Sequence, residues 1–150
     1  MSTRTTPPFR ADVLVRNGPV FEDECVELFL CEPGSETRYQ EIVVNPRGVV
    51  YGARVDNPDD SRVTWKLSPG ALPDGLTADA RVAGDSWTCR LVVPWGGALG
   101  PPPVDGEIRR GNLFRIARGA VPRFEALSPT GRAAPPDFHV PSRFARLRFA

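Results

Sequence analysis

The sequence predicts an all-β fold, an antiparallel β-sandwich of the jelly-roll or immunoglobulin-like kind with about nine or ten strands. Three observations predict it. Short runs of alternating apolar and polar residues recur along the chain, separated by turn signals about every 8–12 residues. The 17 prolines and 14 glycines are dispersed as punctuation rather than gathered in one block. No segment keeps a 3.6-residue apolar period beyond one turn, so long helices have no support.

The elements follow in order. Residues 1–8 are polar and proline-ended, and are expected to be a flexible N-terminus ahead of a single domain over 9–150. Ala11–Arg16 reads as a first strand, closed by Asn17-Gly18-Pro19. Cys25–Cys31 is a central strand. Val26, Leu28 and Leu30 share one face, and Cys25, Glu27, Phe29 and Cys31 share the other, so both faces are largely apolar. Arg38–Asn45 places Tyr39, Glu41 and Val43 opposite Gln40, Ile42 and Val44. Asn45-Pro-Arg-Gly48 is a tight turn, because proline sets φ and glycine accepts φ > 0. Val49–Val55 returns antiparallel. Arg62–Leu67 is a short strand around Trp65, followed by a loop over Ser68–Gly75. Thr77–Ala83 and Trp87–Pro94 form a hairpin about Gly84-Asp85, with Trp87, Cys89, Leu91 and Val93 on one face. Gly111–Arg118, Arg123–Leu127 and Ala145–Phe149 complete the strands.

Composition bounds the function. A chain of 150 residues carries one core of ordinary size. The net charge of +1 gives no global attraction to nucleic acid or to an acidic membrane. The N-terminus lacks the apolar stretch of a signal peptide, and no run is long enough to span a bilayer, so the expected location is the cytoplasm. Cys25 and Cys31 lie in one predicted strand, about 20 Å apart at about 3.3 Å per residue, too far for a disulfide. With Cys89 they are expected to be free thiols, and no Cys/His spacing suggests zinc.

Signals for catalysis are sparse. His139, in Asp137-Phe-His-Val-Pro141, is the one histidine, and no nucleophile elbow accompanies it. No phosphate-binding glycine motif is present. Glu27 and Glu41 are placed to face one another across neighbouring strands, as a glycosidase, a sugar-hydroxyl site or a calcium site would require. Nothing marks either as a general acid. The expectation is a protein without catalysis.

Five stretches taken together carry a resemblance. They are Phe21–Leu30, Tyr39–Gly48, Trp87–Trp95, Gly106–Ile116 with Arg110-Gly-Asn-Leu-Phe-Arg-Ile116 at its core, and Pro136–Phe144. In this order they resemble the family 9 carbohydrate-binding modules and related single-domain proteins, over about residues 9–149. The resemblance implies a β-sandwich, bound calcium in some members, and a groove in which two aromatic rings clamp a saccharide while polar side chains read its hydroxyls. By position it implies Phe21 as the first clamp ring and Glu27 as a hydroxyl acceptor. Gln40 or Glu41 supplies the second polar group. Asn112 and Arg115 match an Asn-x-x-Arg stretch that approaches the groove or braces the sheet. The second clamp falls within Arg123–Pro129, on Phe124 or Leu127. Phe21 stands where the family commonly has Trp, and Gly52 where it often has Asp.

The reading is therefore a non-catalytic module for a saccharide or similar polyhydroxylated ligand, with no resident cofactor. Two alternatives stand beside it. One is a structural or protein-interaction sandwich with a decayed sugar site, pairing as a homodimer through an exposed first strand. The other, less favoured, is a glycoside hydrolase using Glu27 and Glu41.

Overall fold

The computed structural model describes residues 9–132 and 136–150, so the expectation for residues 1–8 falls outside it. Nine strands are present among the described residues: β1 (Cys25–Cys31), β2 (Arg38–Val44), β3 (Val50–Asp56), β4 (Lys66–Pro69), β5 (Thr77–Ala83), β6 (Ser86–Val92), β7 (Ile108–Ala117), β8 (Arg123–Ala126) and β9 (Ala145–Arg148). Three short 3-10 turns, at Val20–Glu22, Gly97–Leu99 and Pro141–Arg143, are the helical content described.

Seven strands form one antiparallel sheet in the order β4-β3-β2-β1-β7-β8. The ten-residue β7 shares its outer edge between two partners. Phe114–Ala117 pair with β8, and Ile108–Gly111 pair with β9. The hairpin β5–β6 is a separate two-stranded sheet. It covers one face of the large sheet, where Ile42, Val44 and Val50 pack with Leu76, Ala78, Cys89 and Leu91. This is the antiparallel β-sandwich that the turn spacing predicts.

The opposite face holds the larger core. Phe29, Tyr39, Val43, Tyr51 and Phe114 rise from the sheet, and Val20, Phe138 and Phe144 close over them from irregular segments. Phe114 and Phe138 stack at 4.2 Å between centroids. The side-chain period of two divides β1 as expected: Cys25, Phe29 and Cys31 enter this core, while Val26 and Leu28 face the hairpin. Cys25, Cys31 and Cys89 are free thiols. Burial pushes the Cys31 thiol up to about 12.

Two elements differ from the sequence reading. Ala11–Arg16 is not a strand. Its backbone groups are taken by side chains instead. The fully buried Asp23 accepts from the Asp12 and Val13 amides at 2.9 and 3.0 Å, and Asn45 Nδ2 donates to the Val13 carbonyl at 3.0 Å. A segment satisfied in this way needs no ladder. The homodimer expected through a first strand thus has no strand there to pair. The fourth strand is shifted: residues 62–64 turn, and β4 begins after Trp65 and runs into the predicted loop. Asn57 directs this turn, its Oδ1 accepting from the Ser61 amide at 3.0 Å and its Nδ2 donating to the His139 carbonyl at 2.9 Å.

The Asn45–Gly48 turn forms as predicted. Gly48 has φ +74°, and Asn45 Oδ1 accepts from the amides of Arg47 and Val49. Gly52 has a different reason. A Cβ there would lie 2.1 Å from Leu72 Cδ2 and 2.8 Å from the Ala71 carbonyl. The strand needs glycine at this position because the 71–72 loop lies directly on it.

Candidate functional site

A cavity of about 330 Å³ opens on the face opposite the hairpin. Its floor crosses the large sheet from one edge to the other: Leu67 on β4, Tyr51 on β3, Glu41 on β2, Glu27 on β1, Ile116 on β7 and Phe124 on β8. The rim comes from outside the strands. Phe21 belongs to the first 3-10 turn, Arg62 and Trp65 precede β4, Arg118 follows β7, and Pro136, Phe138 and His139 come from the C-terminal segment. A rigid floor with a rim of connecting segments is a common way to build a binding site.

Glu27 and Glu41 point into this cavity because of strand parity. In the β1–β2 ladder Glu27 pairs with Val43 and Phe29 pairs with Glu41. The two glutamates are therefore diagonal neighbours on the same face, close enough for their charges to interact. Burial raises both. Glu27 moves from 4.5 to about 7, with Cys25, Arg62 and Arg118 pulling the other way. Glu41 moves from 4.5 to about 8, through burial first and the Glu27 charge second.

Neither carboxyl has a strong partner among the described residues. Glu27 Oε1 accepts a weak hydrogen bond from the Cys25 thiol at 3.6 Å. Glu41 Oε1 lies 3.8 Å from His139 Nε2, beyond hydrogen-bond distance. That imidazole is neutral, since burial and the Arg62 charge lower it from 6.5 to about 3, so the contact is not an ion pair. His139 Nδ1 is bonded to the Tyr39 hydroxyl at 2.8 Å.

The two arginines at the rim are held elsewhere. Arg62 donates through Nε and Nη2 to Asp137 Oδ1 at 3.1 and 2.8 Å and lies over the Trp65 ring at 5.1 Å. Arg118 donates to the Phe21 carbonyl at 2.9 Å and to the Asp23 carbonyl at 3.4 Å, and sits 5.7 Å from the Phe124 ring. Arg118 thereby ties the two rings expected as clamps to one side chain. Phe21 packs edge-on against Tyr51 at 5.2 Å yet stays 39% exposed, so its other surface is free for a ligand.

Four of the seven residues expected from sequence meet here: Phe21, Glu27, Glu41 and Phe124. Three do not. Gln40 has the opposite parity to Glu41, and its Nε2 donates to the carbonyls of Glu41, Ala53 and Ala71 on the other side of the sheet. Asn112 is on the cavity side of β7 but fully buried, donating to the Ser128 carbonyl at 2.8 Å and accepting from the Ser128 amide at 2.9 Å. It braces the chain beyond β8. Arg115 has the wrong parity: it lies 3.5 Å from Glu24 and lines a cleft with Trp87 and Cys89 beside the hairpin. Between Phe124 and Leu127, the cavity takes Phe124.

Sequence reasoning passed over Arg118 and Arg62, and read Trp65 and His139 as structural rather than as part of the site. Arg118 was within reach of the parity rule, since it continues the series Phe114 and Ile116. Arg62 and Trp65 were read as part of a strand, whereas Arg62 lies in the 62–64 turn and Trp65 just before β4. Among the described residues no three His, Cys, Asp or Glu side chains gather as a metal group, and the space a side chain at position 52 would take is occupied by Leu72.

No family model matches the chain, and no curated protein matches it. Among solved structures it is similar to the crystal structure of a putative carbohydrate-binding protein from Bacteroides uniformis ATCC 8492, with a TM-score of 0.71 and 24% identity. The match covers 95% of this chain and 68% of that one, and what the two share is the β-sandwich fold.

Proposed function

We propose that the protein is a non-catalytic module that binds a saccharide in the Glu27/Glu41 cavity. One observation carries the reading. Two buried carboxyls without strong protein partners open into a cavity walled by Phe21, Tyr51, Trp65 and Phe124. Among the described residues no carboxyl oxygen is both sealed and unbonded, so the oxygens without protein partners open to the cavity and can accept from a ligand that brings donors. A pyranose brings hydroxyl donors at its rim and apolar C–H faces for the rings. The neighbour from Bacteroides uniformis, described as carbohydrate-binding, supports the same class of ligand.

The carboxyl environments favour binding over hydrolysis. A glycosidase pair needs one protonated acid and one ionised partner, held in contrasting surroundings. Here both groups share one buried floor, and burial pushes both upward.

Calorimetric titration against a panel of mono- and disaccharides tests the proposal. The expected result is saturable binding tighter than about 1 mM for at least one sugar, weakened by Glu27→Gln and by Phe21→Ala. Absence of such binding across the panel, or binding indifferent to both substitutions, overturns it. Turnover of chromogenic glycosides that either glutamate variant abolishes would replace it with a hydrolase.

A further inference from the structure

The buried acids of this protein divide into two groups. Asp23 is satisfied by backbone amides and Asn45, Glu24 by Trp87 Nε1 and Arg115, and Glu32 by Arg38 and Arg54. Glu27 and Glu41 alone among the described buried acids have neither an arginine within ion-pair distance nor a nitrogen or oxygen donor within hydrogen-bond distance of the carboxyl, Glu27 having only the weak Cys25 thiol donor. The chain has 18 arginines and one lysine, so cations are plentiful. Those nearest the cavity are committed to other partners: Arg62 to Asp137, and Arg118 to main-chain carbonyls.

We infer that the cavity is selective for saccharides bearing a positively charged amino group, with the ammonium placed between Glu27 and Glu41. The inference rests on the saccharide reading above and names the class of sugar. Its logic is charge completion. Two adjacent carboxyls in a buried site hold their protons because the Arg62 and Arg118 charges offset only part of the cost of burial, and an entering ammonium placed between the carboxyls supplies the rest. It also brings up to three N–H donors to carboxyl oxygens that open to the cavity. A sugar carboxylate at the same place would meet two acids and is disfavoured. A neutral hydroxyl would be accepted without the electrostatic gain.

The test compares glucosamine, N-acetylglucosamine, glucose and glucuronate by calorimetry at about pH 6.5, where an amine of ordinary basicity is protonated. Tetramethylammonium serves as a cation without sugar. The expected result is glucosamine at least tenfold tighter than the other three sugars. Glu41→Gln and Glu27→Gln should each erase most of that margin, while Asp79→Asn on the exposed hairpin leaves it intact. Thermal melting of each variant confirms that it is folded. If neutral sugars bind as well as glucosamine, the amino-sugar inference fails and the saccharide reading stands. If no sugar binds but tetramethylammonium does, the saccharide reading fails and with it this inference. If neither binds, both are overturned.

Discussion

The Tyr39 hydroxyl and His139 Nδ1 meet at 2.8 Å across 100 residues of sequence, inside the core beneath the cavity. With the hydroxyl as donor, the ring proton sits on Nε2 and faces Glu41. This pair fixes the position of the C-terminal segment. Tyr39→Phe removes the donor and leaves Nδ1 buried without a partner. The expected cost is about 1–2 kcal/mol of stability, read as a lower urea midpoint at unchanged slope.

The pH dependence of stability has a definite sign. Glu27 and Glu41 titrate in the folded chain near 7 and 8, but at ordinary values when unfolded. The folded state therefore holds protons that the unfolded state has released, and stability falls as pH rises through that window. His139 acts in the opposite direction, because its folded value is lowered to about 3. Its contribution is complete above about 6.5 and is lost on acidification. From about pH 6.5 to 8.5 the carboxyls dominate. A loss of roughly 2–3 kcal/mol is expected over that range, and Glu41→Gln should remove most of it in urea titrations at several pH values.

Asp23 organises the segment that the sequence presented as a strand. Asp23→Ala leaves two amides and Asn45 Nδ2 without their acceptor. A destabilisation of about 2–4 kcal/mol is expected. Hydrogen exchange at the Asp12 and Val13 amides should accelerate even where the β1–β2 ladder remains protected.

Gly52→Ala introduces a Cβ against Leu72 and the Ala71 carbonyl. The loop must move, at about 1–3 kcal/mol. A companion Leu72→Ala should recover part of that loss in the double variant, measured as a positive coupling in a mutant cycle.

The ring contribution to binding is separable from folding. Trp65 is half-buried and precedes β4, and Phe124 lies on the short edge strand β8. Replacing either with Ala is expected to weaken the best saccharide by about tenfold, equivalent to about 1.4 kcal/mol. Calorimetry of the variants checks this.

Much of this arrangement was legible in the sequence because strands carry a period of two. The faces of β1 and β2, the Asn45–Gly48 turn and the β5–β6 hairpin all follow from alternation and turn chemistry. The same rule brings Glu27 and Glu41 together and would have excluded Gln40 and Arg115, whose parity is opposite. What escaped is what alternation does not encode. Ala11–Arg16 alternates like a strand, yet Asp23 and Asn45 take its backbone groups. His139 reaches Tyr39 from the far end of the chain, and no local pattern announces a partner 100 residues away.

The origin of the rim has a consequence for synthesis on the ribosome. Glu27 and Glu41 emerge early, on the second face of strands that can pair at once, but Phe138, His139 and Phe144 emerge near the end. A nascent chain halted before residue 136 would carry a nearly finished sheet with its aromatic face bare. That interval leaves apolar surface open to non-native contacts, and it closes when the segment bearing His139 docks on Tyr39.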